Sequence, residues 1–143
     1  CLYLLMNNIQ KHASKTKPTV AVVGSRSVTS NPTAQRLARY LEHLRPGLII
    51  SGGAAGADAL AASWARANGV PLLELRPDYA AHGAGAPHVR NAEIVRRADL
   101  VLVLWDGQSR GTLSAARAAA RLGRRCEWLL HAPPGAPAGG LGL

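Results

Sequence analysis

Three short turns hold most of the residues able to do chemistry: Gly24-Ser25-Arg26-Ser27, Ser51-Gly52-Gly53 running on to Gly56 and Asp58, and Asp106-Gly107-Gln108-Ser109-Arg110-Gly111-Thr112. Each combines glycine with hydroxyl or charged side chains. Glycine lets backbone N–H groups approach a ligand and tolerates positive φ. Hydroxyls and a guanidinium beside such a turn suit a phosphate or carboxylate. Arg90 and Asn91, in the first turn of a following helix, can add charge from the side. Tyr79 and His82, within Arg76 to Pro87, could cover a base or sugar. The candidates for proton transfer or charge stabilisation are Arg90, Asp106 and Asp58, and the two aspartates are not visibly paired with a second carboxylate. Asp58 also reads simply as favourable charge at a helix start, worth about 0.3–1 kcal/mol. Arg90 and Glu93 also read as a surface pair three residues apart. His82 stands without an Asp, Cys or second His at ligand spacing, so no metal site is expected.

The elements needed to position these turns follow from periodicity. Thr19–Gly24, Leu48–Ile50, Val70–Leu75, Asp99–Trp105 and Cys126–Leu130 are short apolar runs that read as strands. Pro71 puts the third at a sheet edge. Between them lie helical patterns. One is capped by Ser30 or Asn31 with Pro32 following, and carries Leu37, Tyr40, Leu41 and Leu44 on one face. A second begins near Gly56 and stops at Asn68 and Gly69. A third covers His88 to Ala98, with Ala92, Val95 and Ile94 inward. A fourth covers Leu113 to Leu122 and ends at Gly123. Arg76 to Pro87 reads as a long loop over a ligand. Five strands alternating with four helices predict an α/β fold, a Rossmann-like doubly wound parallel sheet with helices on both faces. In such folds ligands bind beyond the carboxyl ends of the strands, where all three turns would emerge. A helix N-terminus behind a glycine turn is a seat for phosphate.

Composition bounds the rest. The 143 residues suit one domain, and 48% hydrophobic content with no Phe predicts a core of Val, Leu, Ile and Ala. Residues 1–17 read as a flexible basic arm, 18–131 as the domain, and 132–143 as a disordered Pro/Gly-rich tail. The net charge of +9 fits either a polyanion such as nucleic acid, a small anionic ligand, or a solvated arginine-rich surface. Cys1 and Cys126 match neither a metal spacing nor a disulfide framework, which suits a cytoplasmic protein. The opening CLYLLM is too short for a membrane span, and no membrane partner is expected.

The pieces VVGSR, SGGAAGAD, RNAEIV and LWDGQSRGT, in that order, resemble the SLOG superfamily of Rossmann-like proteins. That group includes LOG phosphoribohydrolases, DNA-processing protein A (the Smf family) and short stand-alone members. The resemblance covers Val20 to about Leu130. It implies a sheet ordered 3-2-1-4-5 and a pocket for a nucleotide-derived ligand such as ADP-ribose, with no separate cofactor. It also implies a homo-oligomer assembled through the alanine-rich helices. LOG enzymes carry PGGxGTxxE and an Arg-Lys pair. Here Gly111 and Thr112 match the GT, Ala115 stands at the glutamate, Arg90 matches the arginine and Asn91 replaces the lysine. An alanine neither takes a proton nor stabilises an oxocarbenium-like sugar. The first expectation is therefore a nucleotide-binding or sensing module. The alternatives are a nucleoside 5′-monophosphate phosphoribohydrolase and a single-stranded DNA-binding protein of the DNA-processing type, although no aromatic ladder for base stacking is evident.

Overall fold

The computed structural model describes residues 17–136. Residues 1–16 of the basic arm and residues 137–143 of the tail lie outside the described residues. Five strands form one parallel sheet: β1 (Thr19–Gly24), β2 (Leu48–Ser51), β3 (Leu72–Glu74), β4 (Leu100–Leu104) and β5 (Arg125–Trp128), in the order β3-β2-β1-β4-β5. This is the expected 3-2-1-4-5 arrangement. β1 is central and β3, with Pro71 before it, is an edge strand. Residues 20–23 of β1 and all of β4 are buried, as a strand covered on both faces requires.

The helices are α1 (Asn31–Leu44), α2 (Ala57–Ala67), a single turn α3 (Tyr79–His82), α4 (Ala86–Arg97) and α5 (Arg110–Arg121). Ser30 caps α1 by accepting from the Thr33 amide, with Pro32 in the first turn. Leu37, Tyr40 and Leu41 of α1 and Ala57, Ala61 and Ala65 of α2 pack on one sheet face against Val20, Val22, Ile49, Leu100, Leu102 and Leu104. The spacing of four puts the three alanines in one row, which lets α2 lie close to the sheet. Ile94 and Val95 of α4 and Ala115, Ala118 and Ala119 of α5 pack on the opposite face against Ala21, Val23, Ile50, Val101 and Val103. These alanines are therefore taken up by packing within the chain.

Two expectations change. The segment from Arg76 to Pro87 is not a plain loop: it folds into α3, a 3-10 turn at Gly83–Gly85 and the start of α4. Asp78 makes this possible by capping α3 through the Ala81 amide. α5 begins at Arg110 rather than Leu113, which places Gly111 and Thr112 inside its first turn. At the start of the tail, Ala136 N–H donates to the Pro133 carbonyl at 3.1 Å. Among the described residues no helix is long and apolar enough to cross a membrane.

Candidate functional site

The carboxyl ends of β1, β2 and β4 open on one cleft of about 680 Å³. Cross-links between the turns hold it together. Ser25, at the end of β1, is buried, and its Oγ accepts from the Asp106 amide at 3.1 Å and lies 3.3 Å from Thr112 Oγ1. Ser27 Oγ donates to Asp106 Oδ2 at 2.9 Å. The first and third turns are thus tied side by side. The second turn is held from α4: Arg90 Nη1 donates to the Gly52 carbonyl at 3.3 Å and the Leu75 carbonyl at 3.4 Å, while its Nε donates to Asn91 Oδ1 at 2.9 Å. Asn91 is buried and passes the contact on, donating to the Gly111 carbonyl at 3.4 Å. Arg90 therefore does not pair with Glu93, which instead binds Arg96 and Arg97. Asn91 takes the inward position expected for Ala92, which is half-buried.

Of the expected site residues, the cleft wall brings together Gly24, Arg26, Gly52, Gly53, Asp58, Tyr79, Arg90, Asn91, Asp106, Ser109, Gly111 and Thr112. Five others stand back from it. Ser25 faces the turn contacts just described. Ser51 is fully buried, with an Oγ that makes no hydrogen bond. Gly56 has φ of +73°, and a Cβ there would sit 2.4 Å from the Ser25 and Arg26 carbonyl oxygens. Its glycine is required by the close approach of the β1 turn. His82 ends α3 on the exposed side, and Gly107 is an exposed turn residue. Sequence reasoning passed over Arg76, Pro77 and Pro87, which also line the cleft. Arg76 follows β3 after a single residue, Leu75, close to a strand end like the other turns. Val23, Ile94 and Ala115 contribute an apolar patch to the lining.

Charge is unevenly distributed here. Three arginines, Arg26, Arg76 and Arg90, face two aspartates, Asp58 and Asp106. The two carboxyls behave oppositely. Asp106 Oδ1 accepts the Gln108 amide at 2.9 Å and the Ser109 amide at 2.8 Å. Those bonds hold its pKa down to about 2, so it stays ionised and clamps the turn before α5. Burial pushes the Asp58 carboxyl above its ordinary value, opposed by the Ala54 amide and the Arg90 guanidinium. Among the described residues no group of three or more His, Cys, Asp or Glu could hold a metal ion.

A five-stranded parallel sheet with helices on both faces, its strand ends gathering glycine turns around a charged cleft, defines a Rossmann-like α/β domain. Residues 18–82 match the model of the YAcAr family, described as the YspA, cpYpsA-related SLOG family, in keeping with the SLOG resemblance of the sequence. No curated protein matches the sequence. Solved structures with the same fold include DNA processing protein A from Helicobacter pylori, described for its single-stranded DNA binding mode. It is 23% identical with a TM-score of 0.63, over 87% of this chain and 70% of that one. DNA processing protein A from Streptococcus pneumoniae is 21% identical with a TM-score of 0.65, and the chain spans 53% of its length. The structural-genomics target TM1055 is 25% identical with a TM-score of 0.59, over 76% of this chain and 72% of that one.

Proposed function

We propose that the protein binds a nucleotide or nucleotide-derived ligand in this cleft and acts as a binding or sensing module. The observation that carries this reading is the meeting of the three turns at one rim, with the first turn of α5 opening on it. Helix first-turn amides have no intrahelical acceptors, and the Ser109 side chain makes no capping bond. The amides of Arg110, Gly111 and Thr112 can therefore receive a phosphate, with Arg26 supplying charge from the β1 turn. The patch of Val23, Ile94 and Ala115 suits the apolar face of a sugar or base, and Tyr79 on the rim can stack on a base. Thermal-shift and calorimetric titration with AMP, ADP-ribose and cyclic nucleotides tests this. Saturating ligand at a hundred times Kd should stabilise the fold by about 2.7 kcal/mol. No response to any of the panel at millimolar concentration contradicts the reading.

A second reading, hydrolysis of a nucleoside 5′-monophosphate, draws support from Asp58. Water would add to the anomeric carbon as the bond to the base nitrogen breaks, and the water's proton would pass through the Asp58 carboxyl to the departing base. Asp106, held ionised, is poorly suited to that transfer. Incubation with AMP or CMP should release free base, and Asp58→Asn should abolish the release. Absence of base from the wild-type protein removes this reading.

Single-strand nucleic-acid binding has less behind it. Exposed arginines lie on both sides of the sheet, with Arg36 and Arg39 on α1 and Arg110, Arg117 and Arg121 on α5. Others are engaged locally: Arg66 with Glu74, Arg125 with Glu127, and Arg124 on the Val95 and Arg96 carbonyls. This does not make the single positive stripe that tracks a phosphate backbone.

A further inference from the structure

We infer that a second cavity, on the opposite face of α5 from the cleft, is a binding site for a flat aromatic carboxylic acid. It does not rest on the nucleotide reading, because no residue lines both cavities. Its origin is in the spacing of α5. Ala115, Ala118 and Ala119 are buried toward the sheet. Leu113, Ala116, Arg117 and Ala120 fall at i, i+3, i+4 and i+7, so they share the other face of the helix. Gly123, with φ of +69°, turns the chain from α5 into β5. The stripe therefore runs beside the sheet edge, and with Cys126 and Trp128 of β5 it walls a space of about 550 Å³. Beyond β5, His131 bridges back to Trp105, and Pro133 and Pro134 supply the third wall. Small-molecule sites span about 300–1,000 Å³.

Shape and charge together name the occupant. The walls offer the Trp128 indole, two proline rings and the small side chains of Ala116 and Ala120. Such flat surfaces suit a planar ring better than a flexible chain. Trp128 is held in place from behind. Its ring meets Trp105 edge-on, with centroids 6.1 Å apart and planes at 70°, and Trp105 Nε1 donates to the Ser109 carbonyl at 3.0 Å. The margin of the cavity is positive. Glu127, the one carboxylate among the described lining residues, is buried, and its Oε1 accepts from Arg125 Nε at 3.0 Å and Nη2 at 2.7 Å. Arg124 donates to the Val95 and Arg96 carbonyls, which fix its position and leave its charge unneutralised. Arg117 is exposed and makes no hydrogen bond or ion pair among the described residues. An uncommitted guanidinium at the mouth of an apolar slot matches a carboxylate in both charge and geometry.

The test is calorimetric titration of the full chain with 2-naphthoate, its neutral analogue 2-naphthamide and the aliphatic acid decanoate at low ionic strength. The wild-type protein should bind one 2-naphthoate, with 2-naphthamide and decanoate each at least about threefold weaker. Arg117→Gln should weaken 2-naphthoate by about the same factor and leave 2-naphthamide unchanged, since only the acid meets the guanidinium. Ala120→Leu, which fills the slot from an exposed helix position, should weaken both aromatic probes at least about tenfold. No saturable binding of 2-naphthoate to the wild-type protein at millimolar concentration overturns the inference without recourse to any variant. Decanoate bound as tightly as 2-naphthoate overturns the aromatic class, and an Arg117→Gln effect equal on acid and amide overturns the carboxylate. Binding unchanged in Ala120→Leu puts the probe elsewhere. A wild-type dimer that Ala120→Leu dissociates in sedimentation would make this face a contact between copies, and the inference fails.

Discussion

The hydroxyls of Ser25 and Thr112, 87 positions apart in the chain, lie 3.3 Å from each other beneath the cleft. Ser25 also accepts from the Asp106 amide. One buried serine thus sets the distance between the end of β1 and the start of α5. Replacing it with alanine leaves the Asp106 amide without this acceptor, a loss of about 1–3 kcal/mol for a buried unsatisfied group. Urea denaturation of Ser25→Ala should show a lower midpoint at unchanged slope. Nucleotide affinity should fall as well, although Ser25 itself does not line the cleft.

The glycines of the turns separate into those the fold needs and those that only face the ligand. At Gly56 a side chain would meet two carbonyl oxygens at 2.4 Å, and φ is +73°. Gly56→Ala should lose about 2 kcal/mol or more, since both clash and strain oppose it. At Gly111 a Cβ would meet nothing within 4 Å. Gly111→Ala should leave stability unchanged or raise it by up to about 1 kcal/mol through helix propensity. Chemical denaturation of the two variants side by side measures the contrast, and equal losses would contradict this division.

Gly52 lies between those extremes. The atoms a new Cβ would meet are the ends of the Arg90 and Asp58 side chains, which can move, rather than backbone. Gly52→Ala should therefore fold with a loss of about 1–2 kcal/mol. Its affinity for AMP should fall at least about tenfold, because both displaced groups face the cleft. A variant with normal stability and normal affinity would show that neither side chain is positioned for ligand.

The two cleft aspartates give opposite pH signatures. The folded-state pKa of Asp58 is raised above its ordinary 3.8 by burial. Between those values the folded protein holds more protons than the unfolded chain. Its contribution is full below 3.8 and is lost as pH rises through the folded value. Asp106, lowered to about 2, contributes stability above its ordinary 3.8 that is lost as pH falls toward about 2. Urea midpoints measured against pH should therefore lose their decline on the upper side of 3.8 in Asp58→Asn and their acid-side loss in Asp106→Asn.

Sheet order was legible because β1 and β4 are unbroken apolar runs, and alternation of strands with helical patterns leaves few topologies. The SLOG pieces supplied the order of the strands. The convergence of the three turns was legible for the same reason, since parallel strands end on one side. What sequence could not show was direction. Arg90 has Glu93 at helical spacing, yet its guanidinium reaches the Gly52 and Leu75 carbonyls, just past the ends of β2 and β3. Asp58 carried the pattern of an ordinary helix-start charge, and only the folded turn reveals how far it is buried. Gly56 looked like a ligand glycine because packing and ligand approach demand the same residue. The fold of Tyr79–His82 depends on a cap at Asp78 inside a stretch rich in alanine and glycine, where periodicity carries little information.

The most direct test of the account is amide chemical-shift mapping of the 15N-labelled protein during titration with AMP. The account predicts saturable shifts concentrated at Arg110, Gly111 and Thr112, with smaller ones at Arg26, Ser27 and Tyr79, and none along the exposed face of α1. Shifts absent from the first turn of α5, or spread evenly over the basic residues of α1 and α5, would contradict it.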